Sequence, residues 1–126
     1  MFFFVFMLVC SLIVPSAMIV FGLILKNNPP AEINKYYGYR TALSSKNADT
    51  WIFANKYCGK IWVKIGTAAF LVSVIIMLFF TKSSEKVLGI VGSALSIAQC
   101  ALLVLTIPIV ERKLKQTFDS RGKRKT

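Results

Sequence analysis

The sequence predicts an all-α integral membrane protein with three transmembrane helices, and two observations carry that prediction. Hydrophobic residues make up 56% of the 126 residues, which is more apolar surface than a soluble domain of this size can bury. They are concentrated in three runs, at residues 1–25, 61–81 and 87–110, and each run is close to the roughly 20 residues that a helix needs to cross a bilayer. We therefore expect a single membrane domain over residues 1–126.

The first apolar run carries no charged residue before Lys26. A cleavable signal peptide would begin with basic residues and would have a shorter apolar core, so we interpret the run as a permanent span. Pro15 is expected to bend it near its middle, where Ser11 and Ser16 are available to bond the backbone groups that a proline frees.

Residues 34–59 form the only long polar segment between the apolar runs. Pro29 and Pro30 are expected to end the first helix, because proline disfavours helix in the residue before it and has no N–H to donate. Over residues 26–60 we predict an ordered loop, with its tyrosines at the level of the lipid headgroups, followed by an interfacial helix.

The interfacial helix is predicted to begin near Asn47, a good N-cap residue. Asp49 adds a carboxylate to the first turn, where the helix dipole favours it. Thr50 stands where a capping box would have Glu or Gln, so we expect the box to be incomplete. Two faces recur at helical spacing, an apolar one with Trp51, Ala54, Cys58, Ile61 and Ile65 and a basic one with Lys56, Lys60 and Lys64.

The third run carries a stripe of small residues, which let transmembrane backbones approach closely and favour a homo-oligomer. The stripe contains Gly89, Ser93, Ser96 and Cys100. Gln99 is the only amide deep in a span, and its simplest interpretation is an interhelical hydrogen bond of about 0.6–2 kcal/mol. After the run, residues 111–126 form a basic tail. Its first half is expected to continue the helix, and its end, RGKRKT, is expected to be disordered.

The basic residues divide unequally between the two sides of the membrane. Seven lie in residues 26–64, seven in the tail and two in the link at residues 82–86. With three spans, the first loop and the tail share one side. The positive-inside rule then predicts that both are cytoplasmic and that the N-terminus lies outside the cell, with the basic residues facing anionic lipid headgroups. We expect a multi-pass protein of a bacterial cell membrane.

Residue types that support catalysis or metal binding are scarce. The chain has no histidine, five carboxylates that all lie outside the spans or at their ends, and three cysteines without CxxC spacing. We therefore predict that the protein is not an enzyme and has no cofactor, no metal site and no structural disulfide. Nucleic acid is not an expected partner, since the basic tail has a single aromatic residue, Phe118.

Three residues of the polar segment have two interpretations each. Arg40 is either a clamp that bonds helix C-termini or a recognition residue for a lipid phosphate or a partner carboxylate. Trp51 and Asn55 lie one helical turn apart. They are either a membrane-belt residue and a cap-like polar contact, or part of a surface that meets a partner.

The order of residues in this segment resembles that of the SdpI family of bacterial membrane proteins, and the resemblance covers residues 34–118. The shared features are a GxRT-type loop, a polar stretch, TW and AN pairs and a following glycine. In this sequence they are Gly38, Tyr39, Arg40, Thr41, Ser44, Asn47, Thr50, Trp51, Ala54, Asn55 and Gly59.

The resemblance implies an immunity protein that protects a bacterium from a secreted, membrane-active peptide toxin. The named member of the family also holds a transcriptional repressor at the membrane, but it has more spans than this chain, so the resemblance implies the immunity role more strongly than the signalling role. A toxin arrives from outside, whereas the motif is predicted to be cytoplasmic. We therefore expect the toxin to meet the spans or the link at residues 82–86.

Two other functions stay open. One is a small membrane adaptor whose loop and tail recruit a cytoplasmic regulator. The other is a protein that binds a lipid headgroup or an anionic ligand through Arg40 and the pair Tyr37 and Tyr39. The expected partners are accordingly anionic membrane lipids, a peptide toxin, a cytoplasmic regulator or a second copy of the chain.

Overall fold

The computed structural model describes residues 1–125 and contains three α-helices, α1 (Phe2–Asn27), α2 (Ala48–Phe79) and α3 (Glu85–Thr117). Each helix is long and apolar enough to cross a membrane, which confirms the predicted all-α class with three spans. The described residues contain no strand, and their one pairing of extended backbone is an isolated bridge in the basic tail.

Two glycines set the close contact between α1 and α2. Gly22 of α1 faces Gly59 of α2, and a Cβ atom added at Gly59 would lie 2.6 Å from the Gly22 carbonyl oxygen and 2.5 Å from the Lys26 nitrogen. Small residues of this kind let transmembrane helices approach until their backbones touch. Gly66 continues the contact, since a Cβ there would lie 3.1 Å from the Pro15 carbonyl oxygen.

Most of the buried apolar side chains form two clusters at opposite ends of the bundle. The cluster near the first loop, here called the loop-end core, contains Leu25, Tyr39, Ala54, Cys58, Val110, Leu114 and Phe118. The cluster at the other end contains Phe4, Met77 and Leu88. Many other large apolar side chains on the three helices are exposed, as expected for surfaces that face lipid rather than water.

A polar contact joins all three helices between the two clusters. Gln99 Nε2 donates hydrogen bonds to the Ser11 backbone oxygen of α1 and to Ser73 Oγ of α2, each 2.7 Å long. Pro15 has no N–H, so the Ser11 carbonyl one turn earlier has no donor within its own helix. Gln99 supplies that donor from α3, a role for which the sequence had suggested the serines of α1.

The start of α2 corrects the prediction of an incomplete capping box. The Thr50 N–H donates to Asn47 Oδ1 at 2.9 Å, and the Asn47 N–H donates to Thr50 Oγ1 at 3.1 Å. A threonine hydroxyl therefore accepts the hydrogen bond that Glu or Gln accepts in the usual box. From this cap the helix runs without a break to Phe79, so the predicted interfacial helix and second span are one element.

The basic tail is folded where the sequence predicted disorder. α3 continues beyond the predicted third span, so the first half of the tail is helical. After it, the Asp119 carboxylate accepts hydrogen bonds from the N–H groups of Arg121 and Lys123, each 2.9 Å long. These bonds close a turn, because one carboxylate oxygen satisfies two donors of the following backbone. Thr126, the final residue of the predicted tail, lies outside the described residues.

Candidate functional site

The candidate site is the loop between α1 and α2, and the buried side chain of Asn55 attaches it to α2. Asn55 Oδ1 accepts a hydrogen bond from the Tyr39 N–H at 2.6 Å. Its Nδ2 donates to the carbonyl oxygens of Tyr39 at 3.3 Å and Trp51 at 2.9 Å. A buried amide that bonds backbone groups in this way fixes the loop in one position relative to the helix.

Where the loop is attached to Asn55, position 38 requires glycine both for its backbone conformation and for the lack of room for a side chain. Its φ is +97°, a value that other residues rarely adopt. A Cβ atom there would also lie 2.6 Å from Asn55 Oδ1, inside the distance that a non-bonded carbon and oxygen can share. The glycine of the motif therefore lets the loop backbone approach the asparagine.

Trp51 holds the beginning of the loop. Its indole is fully buried, and Nε1 donates to the Pro30 carbonyl oxygen at 2.9 Å. The membrane-belt interpretation of Trp51 and the partner-surface interpretation of Trp51 and Asn55 are therefore wrong, because neither side chain reaches the surface. The geometry matches the remaining interpretation, in which these side chains make polar contacts within the fold.

Tyr39 connects the loop to α3. Its ring belongs to the loop-end core, and its hydroxyl donates to Glu111 Oε1 at 2.8 Å and to the Ile107 carbonyl oxygen at 3.3 Å. Burial, followed by the hydrogen bond to Glu111, raises the pKa of Tyr39 well above its ordinary value of 10.0. The phenol therefore stays protonated and remains a donor. Tyr39 is buried within the protein, whereas Tyr36 and Tyr37 are exposed, and the position of the loop tyrosines at headgroup level stays a prediction.

The remaining polar residues of the motif bond one another along the loop. The Thr41 N–H donates to Ser44 Oγ at 2.7 Å, and the Ser44 N–H donates to Thr41 Oγ1 at 3.2 Å. Thr50 Oγ1 donates to the Ser44 carbonyl oxygen at 3.0 Å. The turn is thereby joined to the capping box of Asn47 and Thr50, so these four residues stabilise the loop and the helix start together.

Arg40 differs from its neighbours because its side chain is exposed. Within residues 1–125 the guanidinium makes no hydrogen bond or ion pair, so the structure offers no contact for the predicted clamp. The clamping contacts of the loop are made instead by Asn55, Trp51 and Tyr39. Arg40 is left facing a groove.

This groove, here called the Arg40 groove, has a volume of about 510 Å³ and lies between the loop and the neighbouring helices. Its walls are mainly apolar and come from all three helices, among them Phe21, Trp62, Val104 and Ile107. Its loop side is formed by residues that include Tyr36, Tyr37 and Arg40. A largely apolar cleft with a few polar groups along one side is the usual form of a small-molecule site.

The end of the basic tail packs against the start of α2. Arg124 donates through Nε and a terminal nitrogen to both carboxylate oxygens of Asp49, each at 2.8 Å. Its guanidinium also lies 5.0 Å from the ring centre of Phe118 and 5.8 Å from that of Phe53. The hydrogen bond from Arg124 to Asp49 raises the pKa of the guanidinium. Asn47 Nδ2 adds a bond to the Gly122 carbonyl oxygen at 2.8 Å.

The small-residue stripe of α3 takes little part in packing within the bundle. Ser93 is exposed, and Gly89 and Ser96 are only partly buried. Gly92 beside the stripe is the buried position, and a Cβ added there would collide with the Met7 side chain. Of the predicted packing residues of α3, Gln99 alone is fully enclosed by the other two helices.

Sequence reasoning missed Glu111 and the pair of Asp49 and Arg124 as structural contacts. Glu111 follows directly on the apolar run at residues 87–110, and this position of a carboxylate next to a span is the signal that could have indicated a contact within the fold. No comparable signal marks Arg124, which lies in a run of basic residues. Within residues 1–125, no three His, Cys, Asp or Glu side chains come together as metal ligands.

Comparison with known proteins points to the segment that builds the loop and its supporting helices. The model of the SdpI/YfhL protein family matches residues 31–110. The uncharacterized protein YfhL of Bacillus subtilis (strain 168) is 30% identical over 109 residues, a match that covers 83% of this chain and 86% of that protein. No solved structure matches the chain.

Proposed function

The chain belongs to the SdpI/YfhL protein family, and on that premise we propose that it is a membrane immunity protein that protects a bacterium from a secreted, membrane-active peptide. The observation that carries the proposal is the family match over residues 31–110. It includes the loop motif and nearly all of the second and third spans, so the likeness extends to the elements that build the fold and not to one short motif.

The distribution of charge supports an orientation for this role. The loop and the tail lie on the same side of the bundle, since Arg124 of the tail bonds Asp49 at the start of α2. Together they carry most of the basic residues, and we propose that this side is cytoplasmic. A peptide arriving from outside then meets the opposite end of the bundle, near the link between α2 and α3.

The protein would act by binding the peptide within the bilayer or by excluding it. The lipid-facing surfaces of the three helices carry large exposed apolar side chains, which an amphipathic or apolar peptide can contact. The buried motif residues would contribute by keeping the helices in place rather than by touching the peptide.

The test is survival of a peptide-sensitive bacterium that expresses the protein and is challenged with secreted membrane-active peptides. We expect more survivors than in cells with an empty vector. Because Asn55 is buried and Arg40 is exposed, Asn55→Ala is expected to lower both the amount of protein in the membrane and survival. Arg40→Ala is expected to leave the amount unchanged. Survival equal to the empty vector, at a verified membrane level of the wild-type protein, would refute the immunity role.

A second candidate function is recruitment of a cytoplasmic regulator. It is favoured by the exposure of Tyr36, which reaches 91%, on the loop side of the groove that Arg40 also lines. A photo-crosslinking residue at position 36 is expected to trap a cytosolic protein if the loop is an adaptor surface. Capture of lipid alone would reject the adaptor.

A further inference from the structure

The Arg40 groove is not used by the proposed immunity function, and its shape indicates where a ligand would enter. Three of its lining residues, Phe21, Val104 and Ile107, retain exposures of 48%, 63% and 46%. Phe21 belongs to α1 and the other two to α3, and all three lie within apolar helices that cross the membrane. The groove therefore opens sideways, towards the hydrocarbon of the bilayer, rather than forming a closed cavity in the core.

The loop side of the groove carries positive charge without a partner. The Arg40 guanidinium is exposed and makes no ion pair within residues 1–125. Guanidinium groups bind phosphate oxygens through two parallel hydrogen bonds. Tyr36 and Tyr37 line the same side, and tyrosines are frequent at the level of lipid headgroups, where an apolar ring and a polar hydroxyl both find partners.

The backbone on both sides of Arg40 is held by the contacts of its neighbours. The preceding residue, Tyr39, is held through its backbone by Asn55 and through its hydroxyl by Glu111. The following residue, Thr41, is held by Ser44. A site that is already ordered loses less conformational entropy when a ligand binds, so the groove has the properties of a preformed site.

We propose that the Arg40 groove binds one anionic phospholipid, with an acyl chain along the apolar walls and the headgroup phosphate on Arg40. The two halves of the groove match the two halves of such a lipid, and the basic surface of the protein attracts anionic headgroups to this side of the membrane. A free phosphate would use only Arg40 and leave the apolar walls without a partner. The proposal does not depend on the immunity function.

The test is native mass spectrometry of the full, delipidated chain released from detergent and titrated with phosphatidylglycerol, phosphatidylcholine or glycerol 1-phosphate. We expect one phosphatidylglycerol to bind in preference to phosphatidylcholine, and glycerol 1-phosphate to bind weakly. Phosphatidylcholine binding as tightly as phosphatidylglycerol would overturn the role of the negative charge. If glycerol 1-phosphate binds as tightly as phosphatidylglycerol, the proposal of a lipid ligand is wrong and the groove binds a soluble phosphate compound instead.

Two pairs of variants test the two halves of the groove. Arg40→Gln is expected to weaken phosphatidylglycerol binding about tenfold or more, since the hydrogen bonds between the guanidinium and the charged phosphate are lost. Lys35→Gln removes one charge from the same loop outside the groove and is expected to have little effect. Val104→Trp fills the apolar half and is expected to reduce binding. Ile97→Trp, on the same helix outside the groove, serves as its control.

Both tryptophan variants replace exposed side chains, so we expect both to fold, which circular dichroism and thermal unfolding verify. Ile107→Trp repeats the test of the apolar half from the adjacent turn. Unchanged phosphatidylglycerol binding in Arg40→Gln would contradict the phosphate contact. Unchanged binding in both Val104→Trp and Ile107→Trp would contradict the position of the acyl chain.

Discussion

At the scale of single residues, Asn55 does the most to define the loop. Its one acceptor oxygen and both of its amide hydrogens bond backbone groups, two of them on Tyr39 in the loop. The Tyr39 N–H thus depends on a side chain from α2 for its hydrogen bond, whereas the Tyr39 carbonyl oxygen also accepts a bond from Ser44 Oγ at 3.4 Å.

We expect Asn55→Ala to destabilise the protein. It leaves the Tyr39 N–H without a partner in a buried position, and an unsatisfied buried group costs about 1–3 kcal/mol. Thermal unfolding of the detergent-solubilised protein measures the effect as a lower Tm, and limited proteolysis measures opening of the loop. Lys56→Ala is the matched control, since Lys56 is the next residue and is exposed. Equal Tm values for the two variants would contradict the role of Asn55.

At the scale of helices, the bundle compensates for a defect that proline creates in α1. Pro15 leaves the Ser11 carbonyl without a helical donor, and Gln99 of α3 donates to that oxygen across the bundle. The same amide donates to Ser73 of α2. One side chain therefore contributes to two helix contacts, and its energetic importance depends on the proline.

A double-mutant cycle measures this dependence. We expect Gln99→Leu to cost about 0.6–2 kcal/mol in the wild-type background, the range for interhelical hydrogen bonds in membranes. The cost is expected to be smaller in a Pro15→Ala background, because the substituted alanine donates its own N–H to the Ser11 carbonyl. Unfolding by a denaturing detergent provides the free energies. Additive effects of the two substitutions would show that the proline and the amide act independently.

The turn in the tail is expected to depend on pH. Hydrogen bonds from the N–H groups of Lys123 and Arg121 lower the pKa of Asp119 below its ordinary value of 3.8. A carboxylate with a lowered folded pKa stabilises the turn at pH above 3.8, and the contribution is lost as the pH falls through the folded value. Amide hydrogen exchange at Lys123 is expected to accelerate in acid, beyond the intrinsic pH dependence of exchange. Asp119→Asn, which keeps an acceptor but does not titrate, should show no such additional change.

At the scale of the whole molecule, the sequence predicts the helices better than it predicts their contacts. Span lengths and apolar runs are local properties, and they identify the three helices correctly. The loop contacts join distant residues, such as Tyr39 and Glu111, which are 72 positions apart, and no local periodicity indicates such a pairing. The hydrogen bonds of Asn55, Trp51 and Thr50 join the loop to α2, whereas the bond from the Tyr39 hydroxyl to Glu111 depends on how α3 packs beside the loop.

The tail illustrates the same limit. A run of basic residues is usually disordered because it lacks apolar side chains to bury. Here Phe118 is buried in the loop-end core, and Arg124 lies against its ring while it bonds Asp49. Composition alone does not indicate that Phe118 and Asp49 are placed so that they hold the basic tail against α2.

The proposed orientation of the bundle leads to a labelling pattern. After replacement of Cys10, Cys58 and Cys100 by alanine, a cysteine is placed at Tyr36 in the loop or at Ser83 in the opposite link. In intact cells a membrane-impermeant thiol reagent is expected to label position 83 and not position 36. Both positions should react after the cells are permeabilised. The reverse pattern in intact cells would place the loop and the tail outside.

Survival under peptide challenge is the most direct measurement of the proposed function. It is recorded for cells with the wild-type protein, cells with Asn55→Ala and cells with an empty vector, with the amount of protein in the membrane measured in each. We predict that survival exceeds the vector for the wild-type protein and falls with the amount of folded protein in the variant. A wild-type protein that is fully inserted in the membrane and gives no more survivors than the vector would contradict the immunity function.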